Sequence, residues 1–156
     1  MSIDIRDVAA KYLAYRSHTT WEMRKHLAEK GFDGESIDEV IDDFQTYGYL
    51  DDEKYCRQYF EYAFSKGKGK RKVFQELREK GIDNDTIQFA FEDMEDSYDE
   101  KSRAREEASK VLRMADIDIE AGDTVSEKLI AKVARRLQSK GYGSDTIYSV
   151  IGELRR

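Results

Sequence analysis

Apolar positions recur along this chain in one frame that is met three times. Read from Leu27, the frame runs Leu27, Lys30, Gly31, Phe32, Ile37, Val40, Ile41, Phe44. It returns as Leu77, Lys80, Gly81, Ile82, Ile87, Ala90, Phe91, Met94, and again as Leu137, Lys140, Gly141, Tyr142, Ile147, Val150, Ile151, Leu154. Self-similarity of this kind, without an internal gap, is the signature of a repeat architecture. After each glycine the apolar residues fall at i, i+3, i+4 and i+7, one stripe of an α-helix. Before each glycine, Met23 and Leu27, Val73 and Leu77, or Val133 and Leu137 lie four apart on a shorter helix. The glycine stands where that helix must stop, because it takes the left-handed conformation without a Cβ penalty. The lysine before it suits the negative end of the helix dipole, and the apolar residue after it can fold back on the last turn. Asp33 and Asp83 are expected to cap the next helix, with Ser144 in that role in the third copy.

The rest of the chain supplies one more helix ahead of each pair. The first runs from about Asp4 to Arg16, with Val8, Tyr12 and Tyr15 on its apolar face. Thr19 and Glu22 fit a capping box for the next helix. Asp51-Asp52 opens a long helix that carries Tyr55, Tyr59, Tyr62 and Ala63 and ends near Ser65. Residues 65–72 then read as a linker. The middle copy's last helix extends to about Asp96. A helix from roughly Tyr98 to Met114, with Ala104, Ala108, Val111 and Leu112 inward, precedes a loop over 116–123 and the third pair. The fold class expected is all-α, with three tandem three-helix repeats (helix-turn-helix-like units) over residues 1–49, 50–97 and 98–156. Each is too small to bury a good core alone, so an elongated, curved array of stacked neighbours is expected.

Composition narrows the picture. The 156 residues include no proline, 38% are charged, and mean hydropathy is −0.81, which suits helices with polar surfaces. Net charge is −6, which argues weakly against binding free nucleic acid mainly by phosphate neutralisation. Cys56 is the single cysteine, so an internal disulfide is impossible and a reducing compartment is the default. The N-terminus has no basic-then-apolar signal and no apolar run approaches membrane length. A soluble, cytoplasmic protein is expected, without membrane contact.

Candidate chemistry is sparse. Two histidines, His18 and His26, lie eight apart without a metal-ligand partner nearby. Asp116, Asp118, Glu120 and Glu127 echo a calcium loop, but Ala121 stands where the sharp turn needs glycine. No paired carboxylates or nucleophile–base set stands out, so neither an enzyme nor a cofactor is expected. The tyrosines at helical spacing read as packing rather than as base-stacking platforms. Cys56 reads as a small buried hydrophobe.

In order along the chain, the first copy carries Arg16, Thr19, Glu22-Met23, Leu27 and Gly31, and the junction reads Gly48-Tyr49-Leu50-Asp51-Asp52 ahead of Tyr55. The middle copy carries Gly69, Val73, Glu76-Leu77, Lys80, Gly81 and Ile82, while the third keeps Leu137, Gly141, Ile147 and Ile151. This ordered series resembles the RecX family, regulators of the bacterial RecA recombinase, over essentially the whole chain. Met23 replaces the family's usual leucine, and the acidic stretch over 92–100 is less typical of it. The resemblance implies a modular repeat protein that lies in the groove of a RecA–single-stranded DNA filament. Binding there would restrain RecA ATP turnover, strand exchange and co-protease action in recombination and repair.

Charge then picks out contact candidates. Residues 65–72 carry Lys66, Lys68, Lys70, Arg71 and Lys72 without a negative charge, and glycines leave the backbone between them free to conform. The last copy is also basic, through Lys132, Arg135, Arg136, Lys140, Arg155 and Arg156. These eleven residues are the expected contacts with RecA or DNA, and plain solvated surface is the bland reading of both groups. Residues 31–53, in contrast, hold nine acidic side chains and no basic one. Phosphates would repel a groove-reading helix in the first copy. Three functions stay open: a RecA-filament regulator acting by binding; a helical-repeat protein that binds single- or double-stranded DNA without RecA; and a generic protein-interaction adaptor. A monomer is expected.

Overall fold

The computed structural model describes residues 3–155, and every described element is helical. In chain order the helices are α1 (Ile5–Tyr15), α2 (Thr20–Glu29), α3 (Gly34–Thr46), α4 (Asp52–Ser65), α5 (Lys70–Glu79), α6 (Asn84–Glu92), α7 (Glu100–Met114), α8 (Glu127–Lys140) and α9 (Ser144–Leu154). A short 3₁₀ turn, Glu95–Ser97, follows α6, so that helix stops earlier than its apolar pattern suggested. The expected all-α class and the helix pair around each glycine are present.

The three glycine turns share one set of bonds. The Phe32 N–H donates to the Leu27 carbonyl and the Gly31 N–H to Ala28, with equivalent pairs at Ile82–Leu77 and Gly81–Arg78, and at Tyr142–Leu137 and Gly141–Gln138. This is the Schellman arrangement, and it uses carbonyls that a helix end otherwise leaves to water. Each of the three glycines sits at positive φ, between 85° and 93°. Thr19 makes the expected capping box with Glu22. Asp33 and Asp83 accept from the Ser36 and Thr86 N–H groups. The third copy differs: Gly143 occupies the cap position without a side-chain bond, and Ser144 is the first helical residue.

The six residues four apart before the glycines, Met23, Leu27, Val73, Leu77, Val133 and Leu137, are all 0% exposed. By compactness the chain divides into one unit of residues 1–59 and 76–93 and another of 60–75 and 94–156. In the first, Ala9, Met23, Leu27, Ile37, Val40, Ile41, Phe44 and Leu50 form a core on which Val8, Tyr12 and Leu13 pack. Tyr15 departs from expectation: it is 93% exposed, and Ala9 takes the inward position of α1. In the second unit, Ala104, Ala108, Val111 and Leu112 of α7 meet Val133, Leu137, Tyr142 and Val150. Phe60 stacks on Phe64 and Phe74 there.

One joint occurs once in each unit. In the first, the Thr19 hydroxyl, which caps α2, donates to the Lys80 carbonyl at 2.7 Å. A Cβ at Gly81 would overlap Trp21 in the first turn of α2. In the second, the Gly69 N–H just ahead of α5 donates to the Lys140 carbonyl at 2.6 Å. A Cβ at Gly141 would overlap Lys72 in the first turn of α5. Thr19 and Gly69 hold the same place in the frame, twelve residues before their own copy's glycine. The start of one copy's middle helix therefore sits on the Lys-Gly turn of the next.

Candidate partner-binding surface

The basic stretch over 65–72 is not all linker. Lys70, Arg71 and Lys72 form the first turn of α5, which carries no acidic residue. Cations at a helix N-terminus oppose its dipole by a few tenths to about 1 kcal/mol each. That cost is accepted because Gly69 and Lys72 seat on the Gly141 turn. The positive end of α5 is itself answered by the Lys140 carbonyl and the Tyr98 oxygen, so any attraction for an anionic partner comes from the basic side chains around it.

This turn meets the end of α8. The Lys72 ammonium donates to the Ser139 carbonyl at 3.1 Å, and the Lys140 ammonium donates to the Lys66 carbonyl at 3.2 Å. The Tyr142 hydroxyl donates to the Gly67 carbonyl at 2.9 Å, and burial pushes that phenol well above its ordinary range. The Lys70 N–H donates to the Tyr98 oxygen, and burial raises the Tyr98 phenol to about 12. Lys66 lies over the Tyr62 ring at 5.8 Å and Lys70 over Phe74 at 5.2 Å. Arg71 and Lys72 line a shallow cleft of about 440 Å³ with Gln75, Gln138, Ser139, Gly141 and Tyr142. Two basic stretches some seventy residues apart in sequence are thus brought into one surface of the second unit.

The remaining candidates separate. Lys132, Arg136 and Lys140 are spaced i, i+4, i+8 along α8, so they follow one line of that helix. Lys132 and Arg135 are exposed, and Lys68 is half-buried. Arg155 instead pairs with Glu127 at the start of α8, at 2.9 Å. Arg156 lies outside the described residues.

Sequence reasoning missed Glu107. It is 2% exposed, accepts from the Lys110 ammonium at 2.8 Å and from Arg136 Nε at 3.2 Å. Burial pushes its carboxyl up, but the hydrogen bonds from Lys110 and Arg136 outweigh burial and leave it below its ordinary value. A Cβ at Gly67 would overlap this carboxylate, so Glu107 holds both Arg136 and the turn that carries Lys66 and Lys68. The signal was available: Glu107 is three residues from Ala104 and four from Val111, on the inward stripe of α7.

Among the described residues no group of three His, Cys, Asp or Glu side chains is placed to hold a metal. In the loop after α7, Asp118 and Asp123 accept from backbone N–H groups of their own turn. Cys56 is buried, and burial followed by the nearby Asp52 raises its thiol to about 12, which leaves it inert. Among the described residues no helix is long and apolar enough to cross a membrane.

The family model for the first three-helix domain of RecX matches residues 6–44, and the model for the second three-helix domain matches residues 51–90. The chain is 31% identical to the regulatory protein RecX of Bacillus subtilis over 94% of its own length and 53% of that protein's. It is 30% identical to the regulatory protein RecX of Mycolicibacterium smegmatis over 94% of its length and 77% of that protein's. The chain therefore spans about half the length of the Bacillus relative and more of others. The crystal structure of RecX from Lactobacillus salivarius superposes with a TM-score of 0.80 at 22% identity, covering 96% of this chain and 94% of that one. A second crystal structure of a regulatory protein RecX gives 0.75 at 23% identity, over 96% and 70%. Both likenesses concern the fold.

Proposed function

We propose, on the premise that this chain belongs to the RecX family, that it is a regulatory protein which binds the RecA–single-stranded DNA filament and restrains it. It acts by binding, without chemistry of its own. In this reading the three repeats occupy residues 1–49, 50–97 and 98–156, and the filament is engaged through the second unit. The observation that carries the assignment is the meeting of Lys66–Lys72 with Ser139 and Lys140. It converts two ordinary charge runs into one positive surface with a defined backbone. Lys66, Lys68, Lys70, Arg71, Lys72, Lys132, Arg135 and Lys140 are the contact residues. Arg136, which also bonds Glu107, and Arg155, which pairs with the exposed Glu127, belong to the same set, as does Arg156.

The test is the ATPase rate of RecA on single-stranded DNA with this protein titrated well below one copy per RecA. A steep fall at such ratios is expected. Exchange of Lys68, Lys70 and Arg71 for glutamate together should raise the concentration needed at least tenfold. If the triple variant inhibits as well as the parent, the contact assignment is wrong. If the parent leaves the ATPase unchanged yet binds DNA tightly alone, the protein is a DNA-binding repeat protein instead.

A further inference from the structure

A second basic cluster lies in the second unit, at the C-terminal end of α7, and only Arg136 of it belongs to the contact surface proposed above. Lys110, Arg113 and Arg136 line a shallow cleft of about 380 Å³ with Met114. Glu107 holds two of them, accepting one hydrogen bond from the Lys110 ammonium and one from Arg136 Nε. Glu107 is 2% exposed, whereas the Lys110 and Arg136 side chains stay 42% and 37% exposed. An ammonium and a guanidinium each carry several donors, so both keep donors beyond the one that Glu107 engages. Arg113, in the last turn of α7, has no ion-pair partner among the described residues. Three cations thus stand against one carboxylate. Beside them Met114 is 81% exposed.

We infer that this cleft is a docking site for an acidic segment of a partner protein that carries an apolar side chain among its carboxylates. The charge of the cleft calls for the carboxylates. Glu107 fixes Lys110 and Arg136 before any partner arrives, so little side-chain freedom is left to lose when a carboxylate meets them. The exposed methionine calls for the apolar side chain. Its flexible thioether adapts to irregular apolar surfaces, and the methylene stems of Lys110, Arg113 and Arg136 extend that surface around it. A phosphate backbone would use the cations and leave Met114 idle. Among the described residues no acid lines the cleft itself. In the loop that follows α7, Asp118 and Asp123 accept from backbone N–H groups of that loop, so their charge is turned to their own turn. None of this rests on the filament reading: the cleft is a different one, and its test needs no RecA.

The probe is an end-capped peptide in which leucines alternate with pairs of glutamates. Titrated into the full chain labelled with ¹³C at its methionine methyls, it should shift the Met114 signal and leave that of Met23, which is 0% exposed, in place. Arg113→Glu and Met114→Ser, both at exposed positions, should each weaken binding at least tenfold. Serine in place of the peptide's leucines should weaken it to the same extent. Glu107→Gln separates held cations from charge alone: it removes a negative charge yet loosens Lys110 and Arg136, so the peptide should bind it more weakly. A thermal melt checks that this variant is folded, and the two exposed substitutions decide the matter where it is not. No Met114 shift at millimolar peptide would overturn the inference. So would equal binding of the serine peptide, affinity indifferent to both exposed substitutions, or tighter binding to folded Glu107→Gln. A single-stranded oligonucleotide that displaces the peptide from Met114 would put phosphate in the cleft, and a Met114 signal that moves with chain concentration alone would put a second copy there. Either result overturns the choice of occupant.

Discussion

Glu107 shows how much one side chain can decide. A carboxylate 2% exposed survives in a core only when its charge is answered, and Lys110 and Arg136 answer it. Its partners Lys110 and Arg136 are 42% and 37% exposed and return to water when it is removed, so Glu107→Ala should destabilise the protein by about 1–3 kcal/mol in urea unfolding. Its folded-state pKa is depressed, so the stability it adds is present above its ordinary value of 4.5 and is lost as pH falls through the folded value. His18 sets a second, milder pH limit. It is buried, with its ring stacked 3.6 Å from Tyr12, whose other face carries His26 at 3.9 Å. Its Nδ1 has no hydrogen-bond partner, and Glu22 Oε1 stands 3.7 Å away. Burial, then Arg16, lowers its pKa below 6.5 despite the pull of Glu22. The neutral ring is the native form, so stability present above 6.5 should decline as pH falls through the folded value. Replacing His18 with phenylalanine keeps the stack and removes the titration. Unfolding free energies measured from pH 7 to 5 should therefore fall less in that variant, and an unchanged slope would put the titration elsewhere.

At the scale of elements, the same glycine turn is used in two ways, and substitution separates them. Gly31→Ala meets only the cost of a side chain at positive φ, about 1 kcal/mol. Gly81→Ala meets that cost and the overlap with Trp21, so its melting temperature should drop clearly further. Equal drops would mean that Trp21 yields freely and the joint is loose. Helices, turns and caps were legible in the sequence because one rule served each: apolar spacing, a left-handed glycine, a capping carboxylate. The start of α5 was not legible, since three cations in a first turn violate the dipole rule. The competing influence, the seating of Gly69 on Lys140, involves residues seventy-one positions apart and leaves no local trace. Tyr15 was misread for a related reason. Its spacing from Tyr12 and Val8 is helical, but the small Ala9 is what fits against α2 and α3. Of the basic surface, the charges were legible and their meeting was not. Helix spacing says which residues share a helix face, but not which of two distant turns will touch.

For the whole molecule, a net charge of −6 conceals a division. The first unit holds nineteen acidic and ten basic residues, and the second fourteen acidic and seventeen basic. The molecule as a whole should thus be repelled by a polyanion while one part of it is attracted. The two partners open to the basic surface then predict different responses to salt. If phosphates are its main target, each basic residue engaged displaces condensed counterions, and log affinity falls linearly with log salt, losing close to one unit of slope per contact removed. If an acidic protein surface is the target, the pairs are fewer and screened over about 8–10 Å, and the dependence is shallower and curved. Inhibition of the RecA ATPase should therefore be measured from 50 to 300 mM salt for the parent, for Arg71→Glu, and for Glu39→Lys in the acidic first unit. Arg71→Glu should weaken inhibition at low salt and flatten its salt dependence. Glu39→Lys should leave the slope unchanged, because that side chain lies outside the basic surface. If both variants alter the slope equally, inhibition follows net charge alone, and the assignment of contacts to the second unit fails.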